Sequence, residues 1–194
     1  MAKEERQQTC SPQLCRGMYL GDPILEEYHD HQWCKVFHDD RFQFEMISLE
    51  GASVGLSWSL IMHKRSRYKE LFHNFDIDAC AAMTDEELER ALLDPGIIRN
   101  RNKVFSVRQN ARAVQAIQRE FGSLDAYIWS FSRGKVFDGK WKRIADIPTV
   151  SDISIAMSRD MKKRGICFMG KVITYSYMQS IGMVNDHLAD CPYR

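Results

Sequence analysis

A chain of 194 residues with 44% hydrophobic and 27% charged side chains is long enough to bury a sizeable core, in one domain or in two small lobes that share it. With 11 Gly and 5 Pro, these proportions exclude a disordered, collagen-like or coiled-coil chain. The net charge is only +1, so a nucleic-acid partner needs a local patch, and the longest uncharged stretch, Val172 to Asn185, is 14 residues, too short to span a bilayer.

Residues 1–12 read as a loose polar tail without the apolar segment of a secretory signal, so a cytoplasmic, intracellular protein with no membrane partner is expected. Period-2 alternation is scarce and 3.6-residue stripes are common, which predicts an all-α fold. Asp40 is expected to cap a helix carrying Phe42, Met46, Leu49 and Glu50. Thr84 and Glu87 have capping-box spacing ahead of Leu88, Ala91 and Leu92. A long helix is predicted from about Asn102 to Phe121, stopped by Gly122, and Ser123 starts another through Trp129. Gly134 to Pro148 reads as a loop. Ser151 opens a helix with a basic last turn ending at Gly165, and a final apolar helix spans about Val172 to Ile181. The six cysteines, spread from Cys10 to Cys191, are expected to be core thiols, ligands or nucleophiles rather than disulfides in a reducing compartment.

The near-zero net charge conceals a local imbalance. From Pro95 to Arg119 there are six cations (Arg99, Arg101, Lys103, Arg108, Arg112, Arg119) and no acid, whereas Thr84 to Asp94 carries a net charge of −4. The basic run begins at Asp94-Pro95-Gly96, a glycine hairpin between two helices. Such a turn is suited to aiming backbone N–H groups at a phosphate, with Arg99, Arg101 and Lys103 beside it. The bland alternative is a solvated helix face.

Glu50 falls on the face of Phe42, Met46 and Leu49, since offsets of four, seven and eight return to one side of a helix. A carboxylate on an apolar face must be paired, shifted in pKa or used. Trp58 follows shortly after, and with Tyr28 and Trp33 it would make an aromatic pocket suited to a flat cationic ring. Near the C-terminus His187 and Cys191 lie four residues apart, and with Cys15 and His29 they would complete a closed tetrahedral set joining chain start to chain end. By spacing alone, Cys10 could replace Cys15, and His31 or His38 could replace His29.

Five long stretches carry a resemblance: D-P-I-L-E-E-Y-H-D-H-Q-W from Asp22, F-E-M-I-S-L-E-G-A-S-V-G-L-S-W from Phe44, D-P-G-I-I-R-N-R-N-K from Asp94, K-K-R-G-I-C-F-M-G from Lys162 and M-Q-S-I-G-M-V-N-D-H from Met178. Together they resemble the 3-methyladenine DNA glycosylase I family of the helix-hairpin-helix superfamily. The resemblance implies a two-lobed helical fold, with a hairpin lobe near 40–130 and a zinc-containing lobe from 13–39 and 131–194. It implies one structural Zn2+ on Cys15, His29, His187 and Cys191. It also implies a pocket glutamate at Glu50 and pocket aromatics at Tyr28, Trp33 and Trp58. A wedge at Gly55-Leu56 would fill the gap left by a flipped nucleotide, and the hairpin around Gly96 would hold the DNA backbone. Double-stranded DNA with alkylated bases is the implied substrate, free 3-methyladenine the product ligand, and a monomer is expected.

Some positions depart from the family pattern. Met18 and Leu25 stand near or at usual aromatics, Ser53 replaces a glutamine, Cys34 a glycine, and Lys171 a small residue or proline. Leu25 and Ser53 are expected to line the pocket, and they motivate a competing expectation: a homologue that keeps the scaffold and has lost or altered excision. The activity expected from the resemblance is monofunctional hydrolysis of the N-glycosyl bond of an alkylated adenine, with no amine nucleophile and no strand cleavage.

Overall fold

The computed structural model describes Cys15, Gly17 and residues 20–194; Cys10, Met18 and the predicted tail lie outside them. The chain order is α1 (Pro23–His31), α2 (Asp40–Ser53), α3 (Trp58–Leu71), α4 (Ile77–Ala82), α5 (Asp85–Leu92), α6 (Arg101–Phe121), α7 (Leu124–Ser130), α8 (Asp152–Lys163) and α9 (Lys171–Ser180). No described helix is long and apolar enough to cross a membrane. The described residues are mostly helical, as expected, with one short strand pair besides. Inside the predicted loop, β1 (Phe137–Asp138) pairs in parallel with β2 (Val184–Asn185), and two residues of pairing leave no readable alternation.

The elements follow from local chemistry. Thr84 and Glu87 form the expected capping box of α5, and Ser151 forms one with Ser154 on α8. Gly122 ends α6 at φ 88°, in the left-handed region that glycine reaches without steric cost. The cap of α2 is Asp39, whose carboxylate accepts from the Phe42 amide at 2.7 Å, and not Asp40 as expected. Asp40 instead accepts from the Leu124 and Asp125 amides at 2.9 and 2.8 Å, so it supports the start of α7 across the molecule.

Helices α1, α3 and α4 lacked a readable stripe. In α3 only Ile61, Met62 and Tyr68 are buried among fourteen residues, too few to mark one face. A continuous apolar core joins helices α2–α7 to α8, α9 and β2, with Phe44, Ile47, Val114, Ile117, Met157 and Tyr177 fully buried. Helix α2 lies within this core, with eleven of its fourteen residues buried, and its C-terminal turn carries Glu50.

Candidate functional site

Helix α2 buries two carboxylates five residues apart, and they are treated oppositely. Glu45 is 5% exposed and meets Arg65 Nε at 2.6 Å and Lys69 Nζ at 3.2 Å, an ordinary compensated buried acid. Glu50 is 4% exposed, and its side chain makes no hydrogen bond or ion pair among the described residues. Burial alone pushes its pKa up to about 8.

Glu50 lines a cavity of about 280 Å³ together with Tyr28, Trp33, Ser53, Gly55, Leu56 and Trp58, and a third wall comes from Ile173, Ser176 and Gln179 of α9. The Tyr28 and Trp58 rings meet at 5.5 Å, tilted by 53°. Ser53 donates its hydroxyl to the Glu50 main-chain oxygen at 2.7 Å, so it steadies the turn and leaves the carboxylate free. Leu25 does not line the cavity. It is buried behind it against Tyr28 and Met62, because its position on α1 faces α3. The α9 wall escaped sequence reading. Its residues recur at intervals of three, but the segment as a whole reads as apolar core.

At the cavity mouth α2 ends in an exposed turn. Gly55 has φ 76°, a conformation that side-chain-bearing residues rarely adopt, and Leu56 stands 41% exposed beside it. Lys103 was expected on a phosphate but is committed to this turn: its ammonium donates to the Ala52 and Val54 carbonyls at 2.8 and 2.6 Å. Partial burial lowers its pKa.

The hairpin departs from expectation in the same way. The Gly96 amide donates to Asp94 Oδ1 at 2.7 Å and the Ile98 amide to the Tyr68 hydroxyl at 3.1 Å, so neither is aimed outward. Gly96 is required by close approach: a Cβ there would lie 2.5 Å from Arg67 Cγ, whose guanidinium binds Asp94 Oδ2. Arg101 pairs with Glu89 and lies 4.0 Å over the Phe105 ring. Arg108 pairs with Asp85 and Arg112 caps the Ala81 carbonyl. Arg99, exposed just ahead of the Asn100 cap of α6, has no partner among the described residues.

A second cluster adjoins the cavity. The ligand atoms of Cys15, His29, His187 and Cys191 all lie within 4.8 Å of one another and all four residues are buried. Cys15 Sγ is 3.3 Å from His29 Nε2 and 3.6 Å from His187 Nδ1, and Cys191 Sγ is 3.5 Å from His187 Nδ1. The remaining ring nitrogens are held from outside, His29 Nδ1 by Asp30 at 2.8 Å and His187 Nε2 by the Trp33 carbonyl at 3.1 Å. Burial lowers the His187 pKa to about 4, which keeps the imidazole neutral. Trp33 belongs to both places: it lines the cavity, stacks on His29 at 5.6 Å and meets His187 edge-on at 4.8 Å. The next residue, Cys34, sits at φ 61°, the left-handed backbone that explains a glycine in the resembling family, and the Asp186 amide donates to its sulfur.

The profile of the methyladenine glycosylase family matches residues 18–194. The chain belongs to this family. DNA-3-methyladenine glycosylase 1 of Escherichia coli (strain K12) is 40% identical over 175 residues, covering 90% of this chain and 94% of that protein. The DNA-3-methyladenine glycosylase of Haemophilus influenzae is 39% identical over 169 residues, covering 87% and 91%. The Staphylococcus aureus 3-methyladenine DNA glycosylase I, solved to explain 3-methyladenine recognition, superposes with a TM-score of 0.91 at 31% identity, covering 95% of this chain and 97% of that one. Among methyladenine glycosylases this chain therefore shares the whole fold and not an isolated segment.

Proposed function

We infer that this chain is a monofunctional DNA-3-methyladenine glycosylase of base excision repair, and that Glu50 binds the flipped base. One observation carries the reading: a buried carboxylate with no partner among the described residues lines an aromatic cavity, five residues from a buried carboxylate that has two. An ordinary core would not keep such a group, because an unpaired buried acid is costly. A cationic alkylated base supplies the missing counter-charge, and Tyr28, Trp33 and Trp58 offer aromatic surfaces that attract it.

An alkylated adenine is already a good leaving group because of its charge. The protein's task is therefore to extract the nucleotide, exclude bulk water from the base and favour cationic character near Glu50. The glycosyl C1′–N bond breaks, the base leaves with the bonding pair, and a water oxygen bonds to C1′ and loses a proton to solvent. Glu50 is the sole carboxylate lining the described cavity, so the reaction is hydrolysis assisted by binding. Leu56, exposed at the mouth, fills the vacated place in the stack. The reading of a scaffold without activity loses its motive, since Leu25 lies outside the cavity and Ser53 leaves it open.

Cys15, His29, His187 and Cys191 are proposed to hold one structural Zn2+. A tetrahedral site with bonds of about 2.0–2.3 Å has ligand–ligand edges of about 3.3–3.8 Å; three of the six donor separations, 3.3, 3.5 and 3.6 Å, match such edges, and all six lie within 4.8 Å. Four protein ligands leave no open position, so the ion would contribute folding energy and a cross-link, with no part in bond cleavage.

The function is tested by incubating methylated duplex DNA with the protein and identifying the released bases. Free 3-methyladenine with an intact abasic strand is expected; no released base would overturn the reading. The hairpin is proposed to grip DNA through Arg99 and the first amides of α6. Arg99→Glu is then expected to weaken binding to every sequence and to flatten the log Kd against log salt slope by about 1–2. Arg101→Glu should do less, because Glu89 already holds that cation. Equal and unchanged slopes would remove the hairpin from the interface.

A further inference from the structure

Gln179 lines the same cavity as Glu50, and a buried network outside the cavity decides which end of its amide faces inward. Its Nε2 lies 2.8 Å from Asp186 Oδ2. Asp186 is fully buried; its Oδ1 accepts from Trp141 Nε1 at 2.7 Å and its Oδ2 also accepts from the Tyr175 hydroxyl at 2.8 Å. A carboxylate only accepts hydrogen bonds. The group that Gln179 gives to Asp186 is therefore its NH2, and the atom left over is the carbonyl oxygen. That oxygen makes no hydrogen bond among the described residues. The backbone is pinned as well, since the Cys34 amide donates to the Gln179 main-chain oxygen at 2.9 Å.

The cavity thus carries one fixed acceptor, the Gln179 carbonyl on α9, beside the Glu50 carboxyl group on α2. We propose that Gln179 is a specificity-determining residue for the base, reading the exocyclic amine of adenine, and that Asp186 is the positioning residue that fixes its orientation. A 6-oxo purine would set its oxygen against the Gln179 carbonyl and leave both acceptors unsatisfied. The inference rests on the base-cavity reading above and adds the chemical rule by which that cavity chooses.

The test measures binding of free 3-methyladenine and free 3-methylhypoxanthine, which replaces the 6-amino group by oxygen without added bulk, by quenching of tryptophan fluorescence. The parent protein is expected to prefer 3-methyladenine. Gln179→Met should reduce the ratio of the two Kd values by about tenfold with near-parental Tm. Asp186→Asn supplies an amide that donates to the Gln179 carbonyl and releases its orientation, so the ratio should fall there too, at parental metal content. A merely structural role would weaken both ligands alike. An unchanged ratio in Gln179→Met overturns the proposal, and an unchanged ratio confined to Asp186→Asn overturns the positioning role. Glu50→Gln separates the two levels: if it binds 3-methyladenine as the parent does, the cavity reading has failed; if it loses binding while Gln179→Met keeps the parental ratio, only the present inference has.

Discussion

Glu50→Gln is expected to abolish base binding, slow excision by at least about 100-fold, and at the same time make the protein more stable. The substitution keeps shape and removes an ionisable group from a cavity where no cation among the described residues answers its charged form. The stability gain has a defined pH course. The folded pKa of about 8 lies above that of an exposed glutamate, near 4.3. The native state therefore holds a proton that the unfolded chain has released. Parent stability is full below about pH 4.3 and declines as pH rises through 8, whereas the glutamine variant shows no such decline from this site. The two should melt together near pH 4.5. They should separate above pH 8 by on the order of 3–5 kcal/mol, roughly 10 °C in Tm. Differential scanning calorimetry across that range, paired with an excision assay, checks both halves. A variant less stable than the parent at pH 9 would mean that the carboxylate has a partner in the free protein.

Cys191→Ser is expected to lose stoichiometric zinc and several kcal/mol of stability. The four donors converge from the two ends of the described chain, so opening the set frees both ends at once. Elemental analysis of the purified variant gives the first readout and thermal melting the second. A further consequence follows from Trp33, which packs on both imidazoles and on the cavity. Base-induced quenching should weaken in the zinc-depleted protein even at temperatures where its helices persist. One zinc per chain retained by Cys191→Ser would refute the ligand set.

What was legible in the sequence was periodic or motif-like. Glu50 could be placed on a buried face because Phe42, Met46 and Leu49 lie at helical offsets from it, and the long stripe from 102 to 121 became α6 within one residue. The basic run was legible as charge but not as free charge. Lys103, Arg101 and Arg108 are occupied by Val54, Glu89 and Asp85, partners brought near only by tertiary packing. Asp40 was read as the cap of α2, but the adjacent Asp39 takes that role because Asp40 is drawn to the start of α7, a contact made only by tertiary packing. The α9 wall was hidden for a related reason: Ile173, Ser176 and Gln179 form no chemical motif, and they matter only because α9 packs against α2 beside Glu50.

The bridge from Lys103 to the carbonyls of Ala52 and Val54 gives the proposed complex a built-in ruler. Arg99 lies four residues before Lys103 and Leu56 two residues after Val54, so the brace ties the start of α6 to the turn that carries the exposed leucine, and a strand held by Arg99 would meet that leucine in a fixed register. Cutting the brace with Lys103→Met would leave both contacts available but unregistered. The enzyme would still cling to DNA, yet prise it open at the wrong step.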